Sequence, residues 1–107
     1  MQPMQPMYYV VFFRTTFKSL AEAQEQAPQD IAAHVARSRR LHEQGVVVMA
    51  GAFLDQTDEP LSTMVVCTSR EAADQFIEGD PFVRKGQVSA WQVREWANMF
   101  AAPEQRA

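Results

Sequence analysis

Residues Tyr8 to Phe13 read Tyr-Tyr-Val-Val-Phe-Phe, an unbroken β-branched and aromatic run that predicts a buried strand. The stretch that follows is polar and less regular. Ser19 and Glu22 match a capping box, so a short helical turn is expected to start there, and Pro28 interrupts it. From Pro28 the period changes to that of a helix. Ile31, Val35, Ser38, Leu41 and His42 recur at three- and four-residue spacing, His34 lies on the edge of this stripe, and Ala33, Arg37 and Arg40 fall on the outer side. Pro28 suits the first turn, Asp30 complements the positive helix end, and Gly45 is placed to end the helix in a left-handed conformation. Val46 to Leu54 predicts a second strand, in which Gly51 permits a bulge or a close approach. Asp55 to Pro60 is a polar turn, and Leu61 to Thr68 a third strand whose short separation from the second predicts a hairpin. Thr68 and Glu71 form another capping box, opening a helix through Glu78 with Ala72, Ala73, Phe76 and Ile77 inward and Gly79 as its cap. Beyond an Asp80-Pro81 turn, Gln87 to Trp96 alternates. Val88, Ala90, Gln92, Arg94 and Trp96 share one face, and Ser89, Trp91, Val93 and Glu95 the other.

The order β, α, β, β, α, β predicts a ferredoxin-like α+β fold, a four-stranded antiparallel sheet with two helices on one face. Residues 7–100 form one domain on this reading, flanked by a flexible tail at 1–6 with a repeated MQP unit and a polar tail at 101–107. The uncovered sheet face keeps part of the Tyr8–Phe13 run and one of Trp91 or Trp96. So much apolar surface predicts a homodimer through a sheet-to-sheet contact.

Composition narrows the function classes. The chain has 107 residues, enough for one domain with a real core, and 47% hydrophobic residues, which argues against disorder. Its formal net charge is -3, and the one basic concentration, Arg37-Arg39-Arg40, reads as a solvated helix face, so nucleic acid is not an expected partner. No apolar run approaches the ~20 residues needed to span a bilayer, and the N-terminus lacks the pattern of a signal peptide. A cytoplasmic protein is the expectation. Cys67 is the only cysteine and sits in the apolar run Met64-Val65-Val66-Cys67, where it reads as a small core residue. No Gly-rich phosphate loop is present, so neither a nucleotide cofactor nor any other cofactor is expected.

The chemistry concentrates in two segments. His34 stands eleven residues before Gly45, and Asp80 opens Asp80-Pro81-Phe82-Val83, with Gly86 just after. A neutral imidazole accepts a proton, and a carboxylate on its other nitrogen fixes the tautomer. His34 and Asp80 are therefore the candidate catalytic pair, if the fold brings them together. The bland alternatives are a satisfied core histidine and a turn-forming aspartate. Arg14, at the end of the first strand, is the candidate anchor for a substrate carboxylate at the cleft mouth, its alternative being a strand-end surface charge. His42 reads as a packing or surface group. It stands eight residues from His34, about 12 Å of helical rise, too far to share a metal ion, and no metal is expected. Asp55 reads as a turn residue, Ser62 and Ser89 as isolated hydroxyls, and Trp91 and Trp96 as core or dimer contacts.

Taken together, His34, the Ala50-Gly51-Ala52-Phe53-Leu54-Asp55 run, Asp80-Pro81-Phe82-Val83 with Gly86, and the closing Val93-Arg94-Glu95-Trp96 resemble the YCII-related (YciI-like) family over about residues 7–96. The resemblance implies a dimeric α+β barrel with a cleft between helix and sheet, and an active-site pair mapping onto His34 and Asp80. It also implies kinship with a dehydrochlorinase acting on chlorinated hydroxyquinols and a fold shared with muconolactone isomerases. Two positions depart from the family pattern: Ala52, where proline is frequent, and His42, where an apolar residue is usual. The expected function is a small enzyme using a His–Asp pair for isomerisation, elimination or dehydrohalogenation of a small cyclic or oxygenated compound. The alternative is a non-enzymatic homodimer that binds a small molecule or a partner protein.

Overall fold

A computed structural model describes residues 7–55 and 58–100, so the tails expected at 1–6 and 101–107 lie outside the described residues. The chain forms β1 (Met7–Thr15), α1 (Leu20–Gln26), α2 (Pro28–Glu43), β2 (Val47–Ala52), β3 (Ser62–Cys67), α3 (Arg70–Gly79), α4 (Pro81–Arg84) and β4 (Val88–Ala97). The strands lie in the order β2-β3-β1-β4, every pairing antiparallel. This is the ferredoxin-like arrangement, with each crossover split into two helices.

The splits have local causes. The Ser19 hydroxyl accepts from the Glu22 amide at 3.1 Å, and Glu22 accepts from the Lys18 amide at 2.7 Å, so the capping signal builds a true helix, α1. Ala27 breaks it with φ -139° and ψ 55°, as the residue before a proline is pushed to do, and Pro28 then starts α2. At the far end of α2, Gly45 has φ +82°, donates to His42 at 3.0 Å, and is followed by Val46 donating to Leu41 at 3.0 Å. This double bond pattern satisfies the last carbonyls of the helix.

The second crossover differs from expectation in two ways. The cap of α3 is Ser69, whose hydroxyl accepts from Ala72 at 3.0 Å. Thr68 is still held to the sheet edge by its amide bond to Val46 at 3.1 Å and cannot serve as the cap. Gly79 does not end α3 in a left-handed conformation, since the positive-φ residues among those described are Gly45 and Gly86. Its role is space. A Cβ there would stand 2.5 Å from the guanidinium of Arg37. Arg37 donates to the carbonyls of Phe76 at 2.9 Å and Gln75 at 2.7 Å, and its guanidinium carbon lies 5.8 Å from the centre of the Phe76 ring. Arg37 is thus a clamp between α2 and the unpaired carbonyl end of α3, not a solvated side chain.

The core lies between sheet and helices, where Val11 and Phe13 of β1 and Val65 and Cys67 of β3 meet Ala73 and Phe76 of α3. Strand alternation sends Tyr8, Val10, Phe12 and Arg14 to the opposite, open face. Trp96 lies there beside Tyr8, with ring centres 6.3 Å apart, and is 47% exposed, while Trp91 on the helix-side face of edge strand β4 is 52% exposed. No described helix is long and apolar enough to cross a membrane.

Candidate active site

Asp80 ends one helix and begins the next. Its backbone is extended, with φ -70° and ψ 130°, and Pro81 follows as the first residue of α4. One carboxylate oxygen, Oδ2, accepts from the Phe82 amide at 3.0 Å and caps α4. The other, Oδ1, lies 2.5 Å from Nδ1 of His34 on α2. Gly86, with φ +72°, closes α4 after one turn, as Gly45 closes α2. The two segments singled out by the sequence are therefore joined side chain to side chain, and the turn expected around Asp80 is a one-turn helix that the aspartate caps.

The pair has a defined polarity. Asp80 is fully buried, and the His34 side chain is 17% exposed. An ionised carboxylate only accepts hydrogen bonds, so it assigns the hydrogen of His34 to Nδ1 and leaves a lone pair on Nε2. The imidazole stacks on Phe82, with ring centres 4.6 Å apart and planes at 24°, and stands edge-on to Phe76 at 6.2 Å. These contacts, with the Asp80 bond, fix the orientation of the ring.

His34 borders a cavity of about 510 Å³ between α2 and the β2–β3 hairpin. The cavity explains a peculiarity of α2: although amphipathic, its 16 residues include none that is fully buried. Val35 and Ser38 of its stripe line a hollow, while Leu41 packs at the edge of the core. Ala50, Gly51 and Ala52 on β2 leave the room, and a Cβ added at Gly51 would meet nothing within 4 Å. Asp80 is not in the wall; it stands behind His34.

Sequence reasoning missed several wall residues. Ser38 and Thr63 line the cavity, and the hydroxyl oxygens of both are buried without a hydrogen-bond partner among the described residues. His42 lines it too, with Nδ1 2.8 Å from the Val47 carbonyl, an acceptor that assigns the hydrogen to Nδ1 and leaves Nε2 free. The sequence reads His42 as a packing or surface group; the cavity position adds to that reading. Arg39 is the cationic member of the wall. The i, i+4, i+8 spacing of His34, Ser38 and His42 was the available signal, since such residues share one helix face. Arg14, the expected anchor, lies elsewhere: it borders a second depression with Trp91 and Pro60 and does not reach the His34 cavity. Asp55 lies in the bend after β2, outside the wall. Among the described residues no group of three or more His, Cys, Asp or Glu side chains is placed to hold a metal ion.

The profile of the YCII-related domain matches residues 7–97. No curated protein matches the chain. Among solved structures, the chain is similar to the 5-chloro-2-hydroxyhydroquinone dehydrochlorinase of Burkholderia phenoliruptrix in complex with 2,5-dihydroxybenzoquinone. The TM-score is 0.61 at 18% identity, over 83% of this chain and 92% of that one. It is also similar to a protein from Pseudomonas aeruginosa (TM-score 0.53, 13% identity, 94% and 100% covered) and to a protein of unknown function from Nitrosomonas europaea (0.52, 7%, 92% and 94%). At these identities the likeness is one of fold.

Proposed function

The chain belongs to the YCII-related domain family, and from that premise we propose that it is a small-molecule enzyme in which His34 is general base and acid, oriented by Asp80. The observation that carries this reading is the 2.5 Å contact between His34 Nδ1 and the fully buried Asp80 at the edge of a cavity of about 510 Å³. A buried carboxylate that spends one oxygen on a helix cap and the other on an imidazole is a costly arrangement for packing alone. It suits a base whose tautomer must stay fixed.

In the proposed mechanism, Nε2 of His34 takes a proton from a carbon beside a carbonyl, or from a ring hydroxyl. The imidazolium that forms is stabilised by Asp80 across the Nδ1 hydrogen bond. The electron pair released moves into the ring. It either returns to take the proton at a second carbon, an isomerisation, or expels a leaving group such as halide, an elimination with net loss of the acid. Acid–base help of this kind contributes about 10²- to 10⁴-fold, enough for activated cyclic compounds and insufficient for peptide or phosphodiester hydrolysis. The dehydrochlorinase of similar fold belongs to the same chemical class.

His34→Ala is expected to abolish turnover of such a compound while far-UV circular dichroism stays close to wild type; the melting temperature should fall, because the change leaves Oδ1 of the buried Asp80 without its partner, so turnover is compared well below the melt. Unchanged turnover refutes the assignment. Saturable binding without conversion across a screen of halogenated phenols and lactones favours the non-enzymatic binding protein instead.

The proposal includes a homodimer. Tyr8, Phe12, Met64 and Trp96 share the open sheet face and stay partly exposed there, whereas Val10 and Val66 between them are buried, and a second copy laid face to face would bury the exposed part.

A further inference from the structure

We propose that the ligand of the His34 cavity is an anion, a small ring bearing a carboxylate or an ionised enol, and that Arg39 is its anchor. The inference rests on the reading of the cavity as a substrate site and names the class of substrate. Three observations carry it.

First, the wall holds Arg39 and no Asp or Glu among the described residues, and the nearby carboxylate, Asp80, stands behind His34 and is spent on its Nδ1 and on the Phe82 amide, so Arg39 is the charged side chain that lines the hollow. An uncompensated cation beside a mostly apolar hollow favours an anionic guest. Second, Arg39 makes no ion pair among the described residues, unlike Arg37, which is spent on α3, and Lys85, which is 3.0 Å from Asp30. Its planar fork is free for bidentate recognition. Third, the polar groups on α2 form a ladder. His34, Ser38 and His42 are one turn apart on the same face, Thr63 lines the cavity from β3, and Arg39 lines it from between Ser38 and His42 along the helix. The Ser38 and Thr63 hydroxyls have no hydrogen-bond partner among the described residues. Burying them unpaired is unfavourable, and an oxygen-bearing guest would offset that cost.

The spacing sets the size. Arg39 follows His34 by five residues, about 7.5 Å of helical rise, and His42 follows by eight, about 12 Å. One six-membered ring with an acidic substituent fits between them, its reacting end at Nε2 of His34 and its acid at Arg39, where Nε2 of His42 accepts from a neighbouring ring hydroxyl. This placement gives His42 a role as a recognition group at the mouth.

The test compares two probes of one shape, 4-hydroxybenzoate and 4-hydroxybenzamide, titrated into ¹⁵N-labelled wild type, Arg39→Gln and His34→Ala. Arg39 is exposed, so Arg39→Gln should keep the fold, and His34→Ala, which unpairs the buried Asp80, is titrated well below its lowered melting temperature. The expected result is a wild-type preference for the carboxylate of about tenfold, erased in Arg39→Gln and kept in His34→Ala, with shifts at Ser38 and Thr63. Equal affinity of the two probes in wild type, or a preference that persists in Arg39→Gln, overturns the anchor while leaving the cavity as a binding site. If neither probe moves the Ser38, Thr63 and His34 resonances at millimolar concentration, the cavity reading itself fails, and the anchor with it.

Discussion

Asp80 shows how much one residue can settle. It ends α3, caps α4 through Phe82 and holds His34, all while fully buried. Asn is almost isosteric but carries a donor where His34 needs an acceptor. Asp80→Asn should keep the cap and reverse the tautomer, moving the hydrogen from Nδ1 to Nε2. The imidazole ¹⁵N shifts of His34 should exchange their order, and turnover should fall about 10²-fold or more. Unchanged shifts would mean that Asp80 does not set the tautomer. Cys67 is the opposite case, a buried residue with no partner to serve. Burial pushes its thiol up to about 11 from the ordinary value of 9.0. The neutral thiol is then the species present at neutral pH, and an aromatic disulfide reagent should leave the folded protein unlabelled while labelling it in denaturant. Because the unfolded thiol ionises near pH 9.0 and the folded one near 11, stability should be level below the first value and fall between the two, a loss absent in Cys67→Ala.

At the scale of elements, two side-chain links fix α2. One is the Arg37 clamp on the end of α3, which depends on Gly79 having no side chain. Gly79→Ala gains about 0.5–1 kcal/mol of helix propensity but displaces the guanidinium. In wild type the two effects should nearly cancel, whereas in an Arg37→Ala background the same change should stabilise. Additive melting shifts would show that the clamp contributes nothing. The other link joins the start of α2 to the α4–β4 corner. Asp30 accepts from Gln87 at 3.1 Å and pairs with Lys85 at 3.0 Å, and these bonds, the Gln87 amide foremost, hold its carboxyl below the usual carboxylate range. A lowered folded pKa adds stability above the unfolded value, about 4, that is lost as pH falls through the folded one. The melting difference between wild type and Asp30→Asn should therefore be present at neutral pH and vanish in acid. A difference independent of pH would exclude the linkage.

The whole molecule has two faces of different fate. One is covered by helices but keeps a hollow; the other is the open sheet face, where Tyr8, Phe12, Met64 and Trp96 stay partly exposed. For the open face, light scattering in line with gel filtration should give twice the chain mass of 12.1 kDa, and Met64→Asp with Trp96→Glu should give the single mass. A monomeric wild type at micromolar concentration would end the sheet-to-sheet proposal. For the covered face, the presence of a helix stripe was legible in the sequence but its use was not. Val35 fits the pattern of a core residue, yet it is 42% exposed and lines the cavity. Whether a stripe packs or lines a hollow depends on the bulk of the strand opposite, here Ala50, Gly51 and Ala52, which belong to another element.

Local signals determined the order of the strands and of helices α1 to α3, the Ser19, Pro28, Asp30 and Gly45 signals at helix ends, and the choice of His34 and Asp80 as the candidate pair. Each is encoded within a few residues by periodicity, capping chemistry or a permitted backbone angle. Tertiary structure decided the rest. It turned Arg37 from a surface charge into a clamp, sent Arg14 to the face opposite His34, and moved Arg39, Ser38 and His42 to the wall of the cavity. Those outcomes depend on how far apart two packed layers stand and which side chain fills the gap. They are properties of pairs of elements distant in sequence, and no window along one element contains them.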